Sequence, residues 1–143
     1  MYEMYIDGGA RGNPGPAGIG VSILKNKRPI KEFYYYIGKV TNNIAEYSAL
    51  IAGLYYIEKN NINNINIYSD SELLVKQVNN IYKVRNNNLI KYHQEVMKYK
   101  DLFNIYHIRR EKNKRADLLA NFGMDLYLKG EQAKSLNVIS KEL

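Results

Sequence analysis

The chain has 143 residues, 45% hydrophobic and 24% charged, a balance ordinary for one globular domain large enough to bury a core. It has no cysteine, which excludes disulfides and thiolate zinc and leaves carboxylate, histidine and carbonyl groups as possible ligands. No run of about 18 apolar residues is present, so no membrane span is expected, and the net charge of +7 suggests a polyanionic partner such as nucleic acid.

Taken in order, residues 2–9 predict a first strand, which runs directly from the N-terminus with no secretion-signal pattern. Its apolar residues end at one carboxylate, Asp7. A loop rich in glycine follows, with Asn13 and Pro14 inside it. Residues 18–25 and 30–38 predict a second and a third strand. The short turns between these three favour antiparallel neighbours. Residues 43–59 switch to helical periodicity, with Ile44, Tyr47, Leu50, Ile51, Leu54 and Ile57 at helical spacing. Asn42 or Asn43 reads as the N-cap and Glu46 as its capping-box partner. Residues 65–69 predict a short buried strand ending at Asp70. A helix between two strands of one sheet implies a crossover, hence a parallel neighbour. Residues 71–79 and 87–101 predict two further helices, joined by a basic link at Tyr82–Arg85. Residues 103–109 predict a fifth strand and 113–128 a fourth helix, with Asp117 in its first turns. Residues 129–143 show no strong pattern and are expected to form a loosely packed tail after a domain of residues 1–128.

If the first and fourth strands are parallel neighbours, Asp7 and Asp70 lie side by side at the edge where open α/β sheets place their sites. The helices that follow can then bring in Glu46 and Asp117. Converging carboxylates repel by about 4 kcal/mol per pair at 4 Å and an effective dielectric of about 20. Either they hold protons or divalent cations neutralise them, and an all-oxygen ligand set favours Mg²⁺ or Mn²⁺. Taken singly, each has a plain alternative: Glu46 favouring the helix dipole, Asp70 capping a helix, Asp117 as a surface charge.

Four blocks, YIDGGARGNPGPAGIG, TNNIAEYSALIAGL, IYSDSELLVKQV and IRREKNKRADLLAN, together make the sequence resemble ribonuclease H of type 1. The closer likeness is to the short archaeal and bacterial branch, because only Tyr82–Asn88 joins the second helix to the third, with no room for a basic protrusion. The resemblance implies an α/β fold with a mixed five-stranded sheet in the order 3-2-1-4-5 and helices on both faces. It implies an endoribonuclease that cuts the RNA strand of RNA–DNA hybrids with two ions, Mg²⁺ or Mn²⁺, giving 5′-phosphate and 3′-OH ends. Double-stranded RNA is a second candidate substrate, and a catalytically silent nucleic-acid-binding module is the alternative reading. Asp7 would bridge both ions, Glu46 and Asp70 would complete the ion on the leaving-group side, and Asp117 would hold the ion that activates water. Gly8, Gly9, Arg11, Gly12, Asn13, Asn42 and Asn43 are the expected substrate contacts; the asparagines have a helix cap as their alternative reading. A cytoplasmic monomer is expected.

The sequence departs from the family's pattern in two places. Some members carry a mobile histidine in a longer loop before the last helix, but here the loop contracts to RREKNK. His107 falls inside the strand pattern, and Arg110 is better placed to reach a scissile phosphate. Glu72 stands where glutamine is common, and Lys76 at i+4 is its expected partner. His93 reads as structural, while Lys83 and Arg85 read as phosphate contacts or solvated surface.

Overall fold

A computed structural model describes all residues, Met1–Leu143. Five strands, β1 (Tyr2–Ala10), β2 (Gly15–Lys25), β3 (Arg28–Val40), β4 (Ile65–Ser69) and β5 (Phe103–His107), form one sheet in the order β3-β2-β1-β4-β5. β1 and β2 pair antiparallel, as do β2 and β3; β1/β4 and β4/β5 pair parallel. The tight link between β2 and β3 places Asn26 and Lys27 at positive φ, the geometry of a two-residue hairpin. β3 therefore begins at Arg28, earlier than the sequence pattern suggests.

Helix α1 (Asn42–Lys59) packs on one face of the sheet, over Met4 and Val21, with Gly53 pressed onto Met4. Helix α4 (Lys114–Leu128) packs on the other. Gly18 and Gly20 of β2 lie directly beneath it, where a Cβ would collide with α4 backbone. Two glycines of the strand expected at residues 18–25 thus set a close helix–sheet approach. Helices α2 (Glu72–Val78) and α3 (Asn87–Met97) complete the layer that holds α1. The core is a single cluster that includes Ile6, Leu50, Ile51, Leu54, Ile65 and Ile67.

Several expectations are corrected. Thr41, not Asn42 or Asn43, caps α1: its side chain accepts from Ile44 N at 3.3 Å, leaving both asparagine side chains free of that duty. Glu46 is therefore in the second turn and is not a capping-box partner. The third helix stops at Met97, and a 3₁₀ turn at Lys100–Leu102 replaces its last residues. β5 ends at His107, so Arg109 belongs to the following loop.

The tail is not loose. Residues 136–142 form helix α5 (Leu136–Glu142), capped by Ser135, and its Ile139 is fully buried in the main core. Lys134 N donates to Tyr36 O at 2.9 Å, which ties the segment to β3. The pattern is hard to see in sequence because only one of the seven residues, Ile139, is fully buried.

Candidate active site

The parallel pairing of β1 with β4 sets Ile6 opposite Ser69, the last residue of β4. The next residue in each case is a carboxylate, Asp7 and Asp70. α1 then crosses this edge because Gly8 has no side chain: a Cβ there would collide with the Ala45 carbonyl. This contact carries Glu46 over the edge. Carboxylate oxygens of Asp7, Glu46 and Asp70 all lie within 4.8 Å of one another. Asp117, in the first turn of α4, lines the same cavity and raises the Asp7 carboxyl further. The four acids line one open cavity of about 490 Å³ with Gly8, Gly9, Ala10 and Arg11.

The electrostatics follow from the packing. Burial, then the charge of Asp70, pushes the Asp7 carboxyl up to about 8, with Asp117 and Glu46 adding to the rise. Burial likewise raises Glu46 to about 7; a hydrogen bond with Ser71 acts in the opposite direction. Gly8 N–H donates to Asp7 Oδ1 at 3.0 Å, which orients that carboxylate. The cluster lacks a compensating cation of its own. The nearest, Arg110, is 82% exposed, with Nη2 4.0 Å from Asp117 Oδ1.

The other expected contacts divide. Gly8, Gly9, Arg11, Asn42 and Arg110 line the cavity; Gly12, Asn13 and Asn43 do not. Asn13 Oδ1 accepts from Asn42 N at 3.0 Å, and Asn42 Oδ1 accepts from Ala10 N at 2.7 Å. Together they pin the loop after β1 to the start of α1. Asn43 sits in a separate crevice with Glu46 and Ser71. The Arg11 guanidinium is held by Asp125 at 2.7 Å and Asn121 at 3.3 Å, so it leans on α4. Lys83 lies far from the acids, at a different cavity with Tyr82 and His93. His93 is structural as read, its Nε2 3.0 Å from Gln77 O. His107 is exposed at the sheet edge. Glu72 pairs with Lys76 at 3.3 Å, the expected i+4 partner.

Three residues escaped the sequence reading. Asn121 and Met124 line the acidic cavity; Asn121 is one turn beyond Asp117, so its i+4 spacing was an available signal. Asn113 is 1% exposed and donates from Nδ2 to Ile6 O at 2.9 Å, while its own carbonyl accepts from Asp117 N at 3.1 Å. It joins the residue before Asp7 to the turn that bears Asp117. A contact across 107 positions leaves no local trace in the sequence.

Comparison with known proteins gives a consistent picture. The family model described as reverse transcriptase-like matches residues 5–123. A bifunctional protein of Mycobacterium tuberculosis is 38% identical over 124 residues, covering 83% of this chain and 34% of that protein. Ribonuclease HI of Halobacterium salinarum is 37% identical over 125 residues, covering 85% of this chain and 63% of the relative. The chain thus spans about a third of the first relative's length and under two thirds of the second's. Among solved structures, the N-terminal RNase H domain of a Mycobacterium tuberculosis protein superposes with a TM-score of 0.85 at 34% identity, over 90% of this chain and 96% of that one. LC11-RNase H1, solved in complex with an RNA/DNA hybrid, superposes at 0.83 with 39% identity, over 90% and 99%.

Proposed function

The chain belongs to the type 1 ribonuclease H family, and from that premise we propose that it is an endoribonuclease that hydrolyses the RNA strand of RNA–DNA hybrids, leaving 5′-phosphate and 3′-OH ends. The observation that carries this reading is the meeting of Asp7, Glu46 and Asp70, with Asp117 beside them, in one open cavity. Four acids from four separate elements have no mutual structural benefit; they repel.

The donor set fits hard divalent cations. It is all oxygen, and burial and repulsion hold two of its members, Asp7 and Glu46, well above the usual carboxylate range. Asp7, Glu46 and Asp70 would hold one Mg²⁺ or Mn²⁺ ion, and Asp7 with Asp117 a second. Such ions, when bound, make water a nucleophile near neutral pH and offset charge at the leaving oxygen. The protein's own residues bind and orient. The Gly8 N–H fixes Asp7, and the Asn113 tie holds β1 and α4 at a set separation. The backbone of Gly8 to Ala10 and the Asn42 side chain border the cavity, where an RNA 2′-OH offers the contact that separates RNA from DNA. Gly12, Asn13 and Asn43 act at one remove, by shaping that border. Arg110 reaches from its exposed loop toward the scissile phosphate. No carboxylate is required as a covalent nucleophile.

No helix is long and apolar enough to cross a membrane. We assign the protein a cytoplasmic, monomeric role, with double-stranded RNA as a second substrate. The test uses labelled RNA–DNA hybrid, double-stranded RNA and single-stranded RNA, each with Mg²⁺, Mn²⁺ or EDTA. Cleavage of the hybrid with either metal and none with EDTA is expected. Failure on every substrate with both metals rejects the enzyme.

A further inference from the structure

Arg11 stands at the rim of the acidic cavity, and it is fixed at both ends. Its backbone N–H donates to Pro16 O at 2.9 Å, and Gly15 packs so closely on its carbonyl that a Cβ there would collide with it. Its guanidinium is held by α4: Nη1 is 2.7 Å from Asp125 Oδ1, and Nη2 donates to Asn121 Oδ1 at 3.3 Å. Asn121 in turn donates from Nδ2 to Asp117 O at 2.9 Å. Asp117, Asn121 and Asp125 thus form one stripe of α4 at i, i+4 and i+8, with the first carboxylate at the acidic cluster and the last on the arginine. The members of the stripe face different ways. Arg11 and Asn121 line the cavity, whereas Asp125 does not. The Asp125 carboxylate therefore holds the guanidinium from outside the cavity.

Stability does not account for this arrangement. Arg11 and Asp125 are 41% and 43% exposed, and an ion pair so open to water contributes little to folding. What it does is immobilise a long side chain that would otherwise lose its rotamer freedom on meeting a ligand. A guanidinium has five N–H donors in a planar fork, so one carboxylate oxygen and one amide oxygen leave donors over. Those donors suit a phosphate. They sit between one and two turns of α4 beyond Asp117, about 5–11 Å along the helix axis, so the phosphate they meet is not the one at the acids. We propose that Asp125 is a positioning residue: with Asn121 it aims Arg11 at a non-scissile phosphate of the hybrid. The proposal rests on the ribonuclease reading and adds to it the residues that fix where the substrate backbone lies relative to the acids.

The experiment compares wild type, Arg11→Ala, Asp125→Asn and the double variant on an end-labelled RNA–DNA hybrid. Kd is read by fluorescence anisotropy in EDTA over a range of salt, KM and kcat with Mg²⁺, and folding by thermal melt. Arg11→Ala is expected to raise Kd and KM about tenfold, to change kcat less than about twofold, and to lower the salt slope of binding by about one. Asp125→Asn removes a negative charge near a polyanion, which by itself would tighten binding. It is expected instead to raise Kd and KM about threefold, and only where Arg11 is present; in the Arg11→Ala background it should leave them unchanged or lower them. Unchanged or tighter binding by Asp125→Asn alone, equal weakening by it in both backgrounds, or binding by Arg11→Ala equal to that of wild type overturns the proposal. Wild type that binds the hybrid in EDTA yet cleaves it with neither Mg²⁺ nor Mn²⁺ refutes the ribonuclease reading, and the pattern of Kd values then decides the role of Asp125 by itself.

Discussion

Asp7 and Glu32 are carboxylates on the same sheet, and their surroundings are opposite. Glu32 receives Ser22 and both arms of Arg115, and the Arg115 hydrogen bond, above all, holds its carboxyl below the usual range. Asp7 is surrounded by burial and three more acids, which push it up to about 8. The first arrangement joins β3 to α4 and is complete within the protein. The second is complete only when something positive arrives from outside. An acid that is costly where it stands, and that several elements converge to keep there, marks a functional site more securely than one that is paired.

The sharpest way to break this comparison is to neutralise one acid in each place. Asp7→Asn should reduce cleavage of an RNA–DNA hybrid by about a thousandfold or more, since it deletes the carboxylate proposed to hold both ions. It should also raise the melting temperature of the metal-free protein near neutral pH, because it relieves repulsion. Glu32→Gln should leave cleavage within about twofold.

The pH dependence of stability separates the two sites next. The folded protein keeps Asp7 protonated up to about 8 and Glu46 up to about 7, while the unfolded chain releases those protons near 3.8 and 4.5. Metal-free protein should therefore lose stability as pH rises between about 4 and 8, by a few kcal/mol in order of magnitude, as urea denaturation would report. Glu32 acts with the opposite sign: its contribution is present above about 4.5 and is lost as pH falls through its lowered value. Saturating Mg²⁺ should flatten the loss on the alkaline side.

Two smaller effects concern the scaffold. Ile139→Ala empties a fully buried position in α5 and should cost about 2–4 kcal/mol in denaturant titration, with cleavage per folded molecule unchanged. Glu32→Gln removes a pair whose arginine is 58% exposed, so its cost should be only about 1 kcal/mol.

The strand order and the four acids were legible because each depends on local signals: an apolar strand run that meets an Asp, short turns between the antiparallel strands, a helix between the parallel ones. The meeting of Asp7 and Asp70 followed from parallel pairing, Glu46 was expected from the helix that packs over the same edge, and the family resemblance agreed with both. What was not legible depended on distance. Thr41 caps α1, while the Asn42 side chain is spent on Ala10 at the end of β1, a contact across 32 positions. Gly8 read as a substrate contact and Gly18 and Gly20 as residues of the second strand, whereas their main service is to admit a helix backbone. The tail read as loose because α5 buries a single residue completely. Asn113 gave no signal at all, since its partner is Ile6 at the other end of the chain.

The central claim is that the acids around Asp7 are built to receive divalent cations. Calorimetric titration of Mg²⁺ or Mn²⁺ into the metal-free protein near pH 7, repeated in two buffers of different ionisation enthalpy, tests it directly. The wild-type protein should bind metal and release protons as it does so, because Asp7 and Glu46 must ionise to become ligands, and Asp7→Asn should bind far more weakly. Absence of binding in the wild type, or equal binding with equal proton release in Asp7→Asn, would contradict the account.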